Sequence, residues 1–128
     1  KNYYIIQIHA SWSPLCNQLA PLFADLSLKY SKQDHHHLRI NFAKIDVARW
    51  PTVAESLDID VSGSSKQLPT FIVYRMGEEW ARIPAVKKEN NKKTVISLNM
   101  RTLTASALES HLRIKEVIRE VDEWAGKS

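Results

Sequence analysis

The run Tyr3-Tyr4-Ile5-Ile6-Gln7-Ile8 constrains this chain more than any other stretch. It is apolar at odd and even positions alike, Gln7 excepted, so a strand built from it must be covered on both faces. That makes it a central strand of a sheet with helices on either side. The strand reading extends to Ala10 and ends at the turn Trp12-Ser13-Pro14-Leu15-Cys16. A helix follows to about Lys32, with Leu15, Leu19, Leu22, Phe23, Leu26 and Tyr30 at helical spacing. Ser13 suits the N-cap, its hydroxyl accepting from the Cys16 backbone N–H, and Pro14 suits the first helical position. Pro21 removes one backbone bond inside this helix and is expected to kink it. A turn between a buried strand and a helix N-terminus, where free N–H groups converge, is a common place for chemistry in an α/β fold.

The remaining chain reads as alternating elements. Residues 39–47 form a second strand, 51–57 a short helix, 61–66 a loop, and 68–74 a third strand entered through Pro69. Met76 to Glu79 is a turn, and a short strand covers Trp80 to Ile83. Val86 to Lys93 reads as a basic loop and Thr94 to Leu98 as an edge strand. Ser106-Ala107-Leu108-Glu109 reads as a capping box opening one long final helix. Leu108, Leu112, Val117, Val121 and Trp124 stripe that helix, and Gly126 stops it. The polar connection from Ser31 contains His35, His36 and His37; adjacent residues rarely converge on one ion, so a solvated loop is the expectation and no metal or other cofactor is assigned.

Length and composition fix the class. The 128 residues suffice for one domain with its own core. The apolar runs are too short for a membrane span or a signal peptide. The chain opens on a strand without an initiator Met, so the expectation is a single domain, residues 1–128, excised from a longer protein. Cys16 is the single cysteine, which excludes an internal disulfide. The formal charge of +4 is mild, and no interleaving of basic and aromatic residues points to nucleic acid. Lys87, Lys88, Lys92 and Lys93 cluster in one loop. Were the parent protein anchored, they could rest on anionic headgroups, each adding ~1 kcal/mol near the surface.

The order of elements and its punctuation resemble the thioredoxin fold. Trp12 precedes the position of that family's first redox cysteine, and Cys16 takes the second. Cys16-Asn17-Gln18-Leu19-Ala20-Pro21 is similar to the stretch after the active site of protein disulfide isomerase domains. Leu68-Pro69-Thr70 matches the family's cis-proline signature; Asp46 and Gly77 match its acidic residue after the second strand and its hairpin glycine. Residues 24–30, 44–47 and 65–70 further resemble the thioredoxin-related transmembrane protein 2 family, which has serine at the first redox position. The resemblance implies an α/β thioredoxin-like fold, a central mixed sheet flanked by helices. The family's usual first strand and helix are missing from this chain or lie upstream of it. It also implies a parent in the endoplasmic reticulum membrane, with protein partners, and a groove beside the turn lined by Trp12, Leu68 and Pro69.

Against that resemblance, two requirements of dithiol exchange are unmet. One thiolate must attack and a second resolve the mixed disulfide. Ser13 stands at the attacking position, and a serine hydroxyl needs a neighbouring base. Gln7 stands where the family buries a carboxylate as proton acceptor, and an amide accepts no proton. His9 shares Gln7's face of the strand and is the one local candidate to pair with Ser13. Cys16 remains, recessed: either a small buried hydrophobe or a slow thiol pairing between molecules, giving a homodimer. The function expected is a non-catalytic or redox-impaired binding and regulatory module in redox and calcium homeostasis. The alternatives are a weak monothiol oxidoreductase using Cys16 and a scaffold with an empty groove.

Overall fold

A computed structural model describes residues 2–31, 39–96 and 99–119. The elements in order are β1 (Asn2–His9), α1 (Pro14–Ser31), β2 (Arg39–Asp46), α2 (Pro51–Ser56), β3 (Thr70–Arg75), β4 (Glu78–Ile83), β5 (Val86–Glu89), β6 (Lys92–Val95), a 3-10 turn (Met100–Thr102) and α3 (Ala105–His111). A further helical stretch covers residues 114–119. His35, His36 and His37, Leu98, and the expected Val121, Trp124 and Gly126 of the last helix lie outside the described residues.

The main sheet has four strands in the order β2-β1-β3-β4. β1 is parallel to β2 and antiparallel to β3, so it is central, as its two-sided apolar pattern requires. Among the described residues no strand pairs with the outer edge of β2. Strand alternation divides the core into two. On one side Ile5, Phe71 and Val73 meet Leu19, Phe23, Leu26 and Tyr30 of α1 and Leu108 of α3. Phe23 packs edge-on against Phe42, their ring centroids 5.6 Å apart. On the other side Ile8 and Ile72 meet Ala54 of α2, Val47, Ile59, Leu68 and Cys16. α1 runs unbroken through Pro21.

Three expectations fail, each because a local pattern was outweighed. Residues 86–93 are not a loop: β5 and β6 pair as a separate antiparallel hairpin rather than as an edge of the main sheet. Its turn is Asn90-Asn91, both at positive φ (51° and 63°), the conformation of a tight two-residue hairpin. The lysine-rich flanks hide this from a hydrophobic-pattern reading. β4 begins at Glu78 rather than Trp80, since Met76 (φ 54°) and Gly77 (φ 80°) alone make the turn.

The last helix is neither capped at Ser106 nor continuous. Thr104 is the N-cap, its side chain accepting from Ala107 N at 3.1 Å. Glu109 is thereby free for another task. The helix breaks at Arg113, whose φ is 58°. A non-glycine residue there costs about 1–2 kcal/mol. Arg113 is held by stacking over Trp80, with 4.3 Å to the ring centroid, and by its ion pair with Glu116 at 2.6 Å.

Candidate functional site

The turn after β1 sits at the end of the central strand, where α1 begins. Ser13 N donates to Ala10 O at 3.0 Å, closing the turn. Ser13 Oγ accepts from Cys16 N at 3.3 Å, as the cap reading expects. Asn17 braces the same turn, donating from Nδ2 to Ser11 O at 3.3 Å. Trp12 stands out at 48% exposure, whereas Ser13 is buried at 5%. The hydroxyl therefore lies inside the turn and serves the helix end.

Cys16 is a free thiol at 2% exposure, packed in the cluster of Ile8, Ala10, Val47, Ala54, Ile59, Leu68 and Ile72. Thiol exchange needs an accessible sulfur, and this one is walled by aliphatic side chains. Leu68 and Pro69 are buried beside that cluster, and the Leu68–Pro69 peptide is cis. Cys16 and Leu68 thus share one aliphatic cluster, and Trp12 stands exposed at the turn.

Gln7 is 1% exposed and shares Ile5's face of β1, toward α1 and α3. In register it lies between Lys44 of β2 and Phe71 of β3. Its Oε1 is buried without a hydrogen-bond partner. An orphaned buried amide oxygen costs about 1–3 kcal/mol. The described hydrogen bonds join Gln7 neither to Cys16 nor to Ser13, and none joins His9 to Ser13.

The loop leading to Pro69 is organised by Gln67, a residue the sequence reading missed. Gln67 is 1% exposed. Its Oε1 accepts from Asp60 N at 2.9 Å, and its Nε2 donates to Asp58 O at 3.3 Å. Thr70 Oγ1 donates to Gln67 O. No periodicity marks Gln67, because its value lies in satisfying a loop backbone folded over it. Asp46, at the end of β2, accepts from Ala48 N at 3.0 Å and so shapes the turn into α2.

The lysine cluster is largely neutralised within the fold. Lys88 pairs with Asp58 at 2.8 Å and Lys87 with Glu89 at 2.9 Å. Lys93 lies 3.6 Å from Asp58 Oδ1 and donates to Asp58 O at 2.6 Å. The hydrogen bond from Lys88, with the charges of Lys93 and Lys88, holds the Asp58 carboxyl below its usual range. Lys88 and Lys93 staple the β5–β6 hairpin to the end of α2. Among the described residues no cluster of His, Cys, Asp and Glu is arranged to hold a metal ion.

This sheet order, a strand leading into a capped helix that carries a buried cysteine, and a cis-proline before β3 define a thioredoxin-like domain. The thioredoxin family description matches residues 1–101, and the chain belongs to that family. It is 40% identical over 86 residues to thioredoxin-related transmembrane protein 2-A of Danio rerio, covering 67% of this chain and 27% of that protein. It is 33% identical over 129 residues to thioredoxin-related transmembrane protein 2 of Xenopus laevis, covering 94% of this chain and 43% of that one. The chain thus spans less than half the length of these relatives. Among solved structures, Plasmodium falciparum thioredoxin superposes with a TM-score of 0.51 at 27% identity, covering 63% of this chain and 67% of that one. Among the described residues no helix is long and apolar enough to cross a membrane.

Proposed function

We propose that this chain is a redox-impaired thioredoxin-like domain of an endoplasmic reticulum membrane protein. It acts as a binding and regulatory module in redox and calcium homeostasis, without catalysing dithiol exchange. The observation that carries the reading is the Ser13 hydroxyl, buried and committed to capping α1 where an attacking sulfur would need to be exposed. The single thiol, Cys16, lies under aliphatic side chains, and Gln7 offers no proton acceptor. The relatives named as transmembrane proteins support a membrane-anchored parent. The compartment and the regulatory role extend the resemblance noted from the sequence, as does membership of the protein disulfide isomerase family.

The test is insulin reduction by the purified domain, alongside the rate of Cys16 alkylation and non-reducing gels after peroxide. The reading expects no turnover above buffer with dithiothreitol, slow alkylation that accelerates on unfolding, and no disulfide dimer. Turnover abolished by Cys16→Ala would establish the monothiol oxidoreductase instead, and a disulfide dimer without turnover would make the module a redox sensor. Ser13→Cys supplies the missing sulfur. Because Gln7 persists, this variant is expected to exchange only sluggishly, and adding Gln7→Glu should speed it.

A further inference from the structure

The β5–β6 hairpin joins no strand of the main sheet, and a lone two-stranded hairpin is marginal in water. Its register adds to the difficulty. Lys88 of β5 lies directly opposite Lys93 of β6, and like charges so placed destabilise a strand pair. One carboxylate answers both lysines. Asp58 Oδ2 lies 2.8 Å from Lys88 Nζ and Asp58 Oδ1 lies 3.6 Å from Lys93 Nζ, while Lys93 also donates to Asp58 O at 2.6 Å. Asp58 stands just past α2 at a φ of 58°, a left-handed conformation that Asp and Asn take more readily than other side chains. Its backbone N donates to Glu55 O at 3.1 Å, so the helix end fixes the carboxylate in place. The Asp58 side chain is 54% exposed, and ion pairs so exposed are weak and open to screening by salt.

The hairpin, the end of α2 and β4 border an open cleft of about 610 Å³, with Leu57, Ala81, Ala85 and Val86 among its walls. The body side of that cleft holds itself together without the hairpin. Arg82 Nη1 donates to Leu57 O at 2.8 Å, and the same guanidinium grips Glu79 at 2.7 and 3.0 Å. At the hairpin's base Ile96 N donates to Ala85 O at 2.7 Å, while the Asn90-Asn91 tip is exposed. The base is thus pinned, the body is braced, and the strands between base and tip are fastened to the body through Asp58. We propose that β5–β6 is a flap beside this cleft, latched by the single carboxylate of Asp58 through one lysine from each strand, and that loss of the latch swings the flap away and opens the cleft. Two exposed ion pairs make a latch that yields to screening, whereas a hairpin held by a buried apolar face would not.

The test is Asp58→Asn, which removes the charge but keeps the side-chain shape, the left-handed backbone and the carbonyl that Lys93 contacts. Amide hydrogen exchange over residues 86–95 should run about three- to tenfold faster in the variant at low salt, with β1 amides unchanged. Raising NaCl to about 1 M, where the screening length falls to roughly 3 Å, should speed hairpin exchange in the wild type toward the variant's rate. The variant, left with two facing lysines, should hold its rate or slow as salt rises. Adding Lys88→Thr to Asp58→Asn removes the repulsion and should recover part of the protection. Hydroxyl-radical labelling of Leu57, on the cleft wall, should rise in Asp58→Asn and in the wild type at high salt. Equal hairpin exchange in wild type and Asp58→Asn, salt-independent exchange in the wild type, or unchanged labelling of Leu57 would overturn the flap. Acceleration that extends to β1 would overturn it as well, by making Asp58 a support of the whole fold.

Discussion

Ser13 Oγ lies 3.3 Å from the backbone nitrogen of Cys16 and accepts its hydrogen bond. The two positions that in a dithiol enzyme exchange a disulfide are here joined as cap and capped residue of one helix. The serine hydroxyl serves here as a structural acceptor at the helix end.

Removing that acceptor should therefore cost stability. Ser13→Ala is expected to lose about 1 kcal/mol, read as a lowered urea midpoint with unchanged slope. An unchanged midpoint would show that water or another group caps α1 equally well.

Gln7 should behave in the opposite sense. Its Oε1 is buried and unsatisfied, so an apolar side chain of similar length removes a liability. Gln7→Met is expected to be neutral or to stabilise by up to about 2 kcal/mol in chemical denaturation. A clear loss of stability would mean that the amide has a bridging water it cannot spare.

Gln67 holds two backbone groups of the loop before Pro69, at Asp58 and Asp60. Gln67→Ala leaves both without that partner, at a cost of about 1–3 kcal/mol. Hydrogen exchange at the Asp60 amide should accelerate in the variant, while amides of β1 keep their protection relative to global stability. Unaltered exchange at Asp60 would show that the loop holds itself.

Glu109 joins α3 to α1. It accepts from Lys29 Nζ at 2.9 and 3.1 Å and from the Tyr30 hydroxyl. Burial pushes its carboxyl up, but the Tyr30 hydrogen bond, the Lys29 hydrogen bond and the lysine charge outweigh that and leave it below its usual range. A folded-state value below the unfolded one stabilises the fold above the ordinary carboxylate range, and that stability is lost as pH falls through the lowered value. Denaturation midpoints of the wild type should drop on acidification through that window. Glu109→Gln should start less stable near neutrality and drop less. Parallel pH profiles for the two proteins would refute a role for the ionised carboxylate.

Burial of Tyr30, its hydrogen bond to Glu109 and the carboxylate's charge all push its hydroxyl up, so the bond persists well into alkaline pH.

The central strand, the cap and the helix through Pro21 were legible because each is written in neighbouring residues. A strand buried on both faces needs a two-sided apolar run, and a cap needs a hydroxyl three residues before its donor. The hairpin was misread because its signal, paired asparagines at positive φ, sits among lysines whose partner Asp58 is some thirty-five positions away. The break at Arg113 was unreadable for a similar reason: Trp80, which holds it, is on β4.

By itself the sequence determined the order of strands and helices and the residue identities at the turn, Ser13 and Cys16 with Gln7 on the strand before it, since these depend on residue identity and local spacing alone. Only the tertiary structure decided what the remaining polar groups do. It turned Glu109 from an expected capping residue into the link to Lys29, 80 positions away. It set Lys88 and Lys93 of the hairpin on Asp58, thirty or more positions earlier. The physical reason is that a charge or a buried amide is defined by its neighbours in space, and a one-dimensional pattern carries no record of which distant side chain folding will bring beside it.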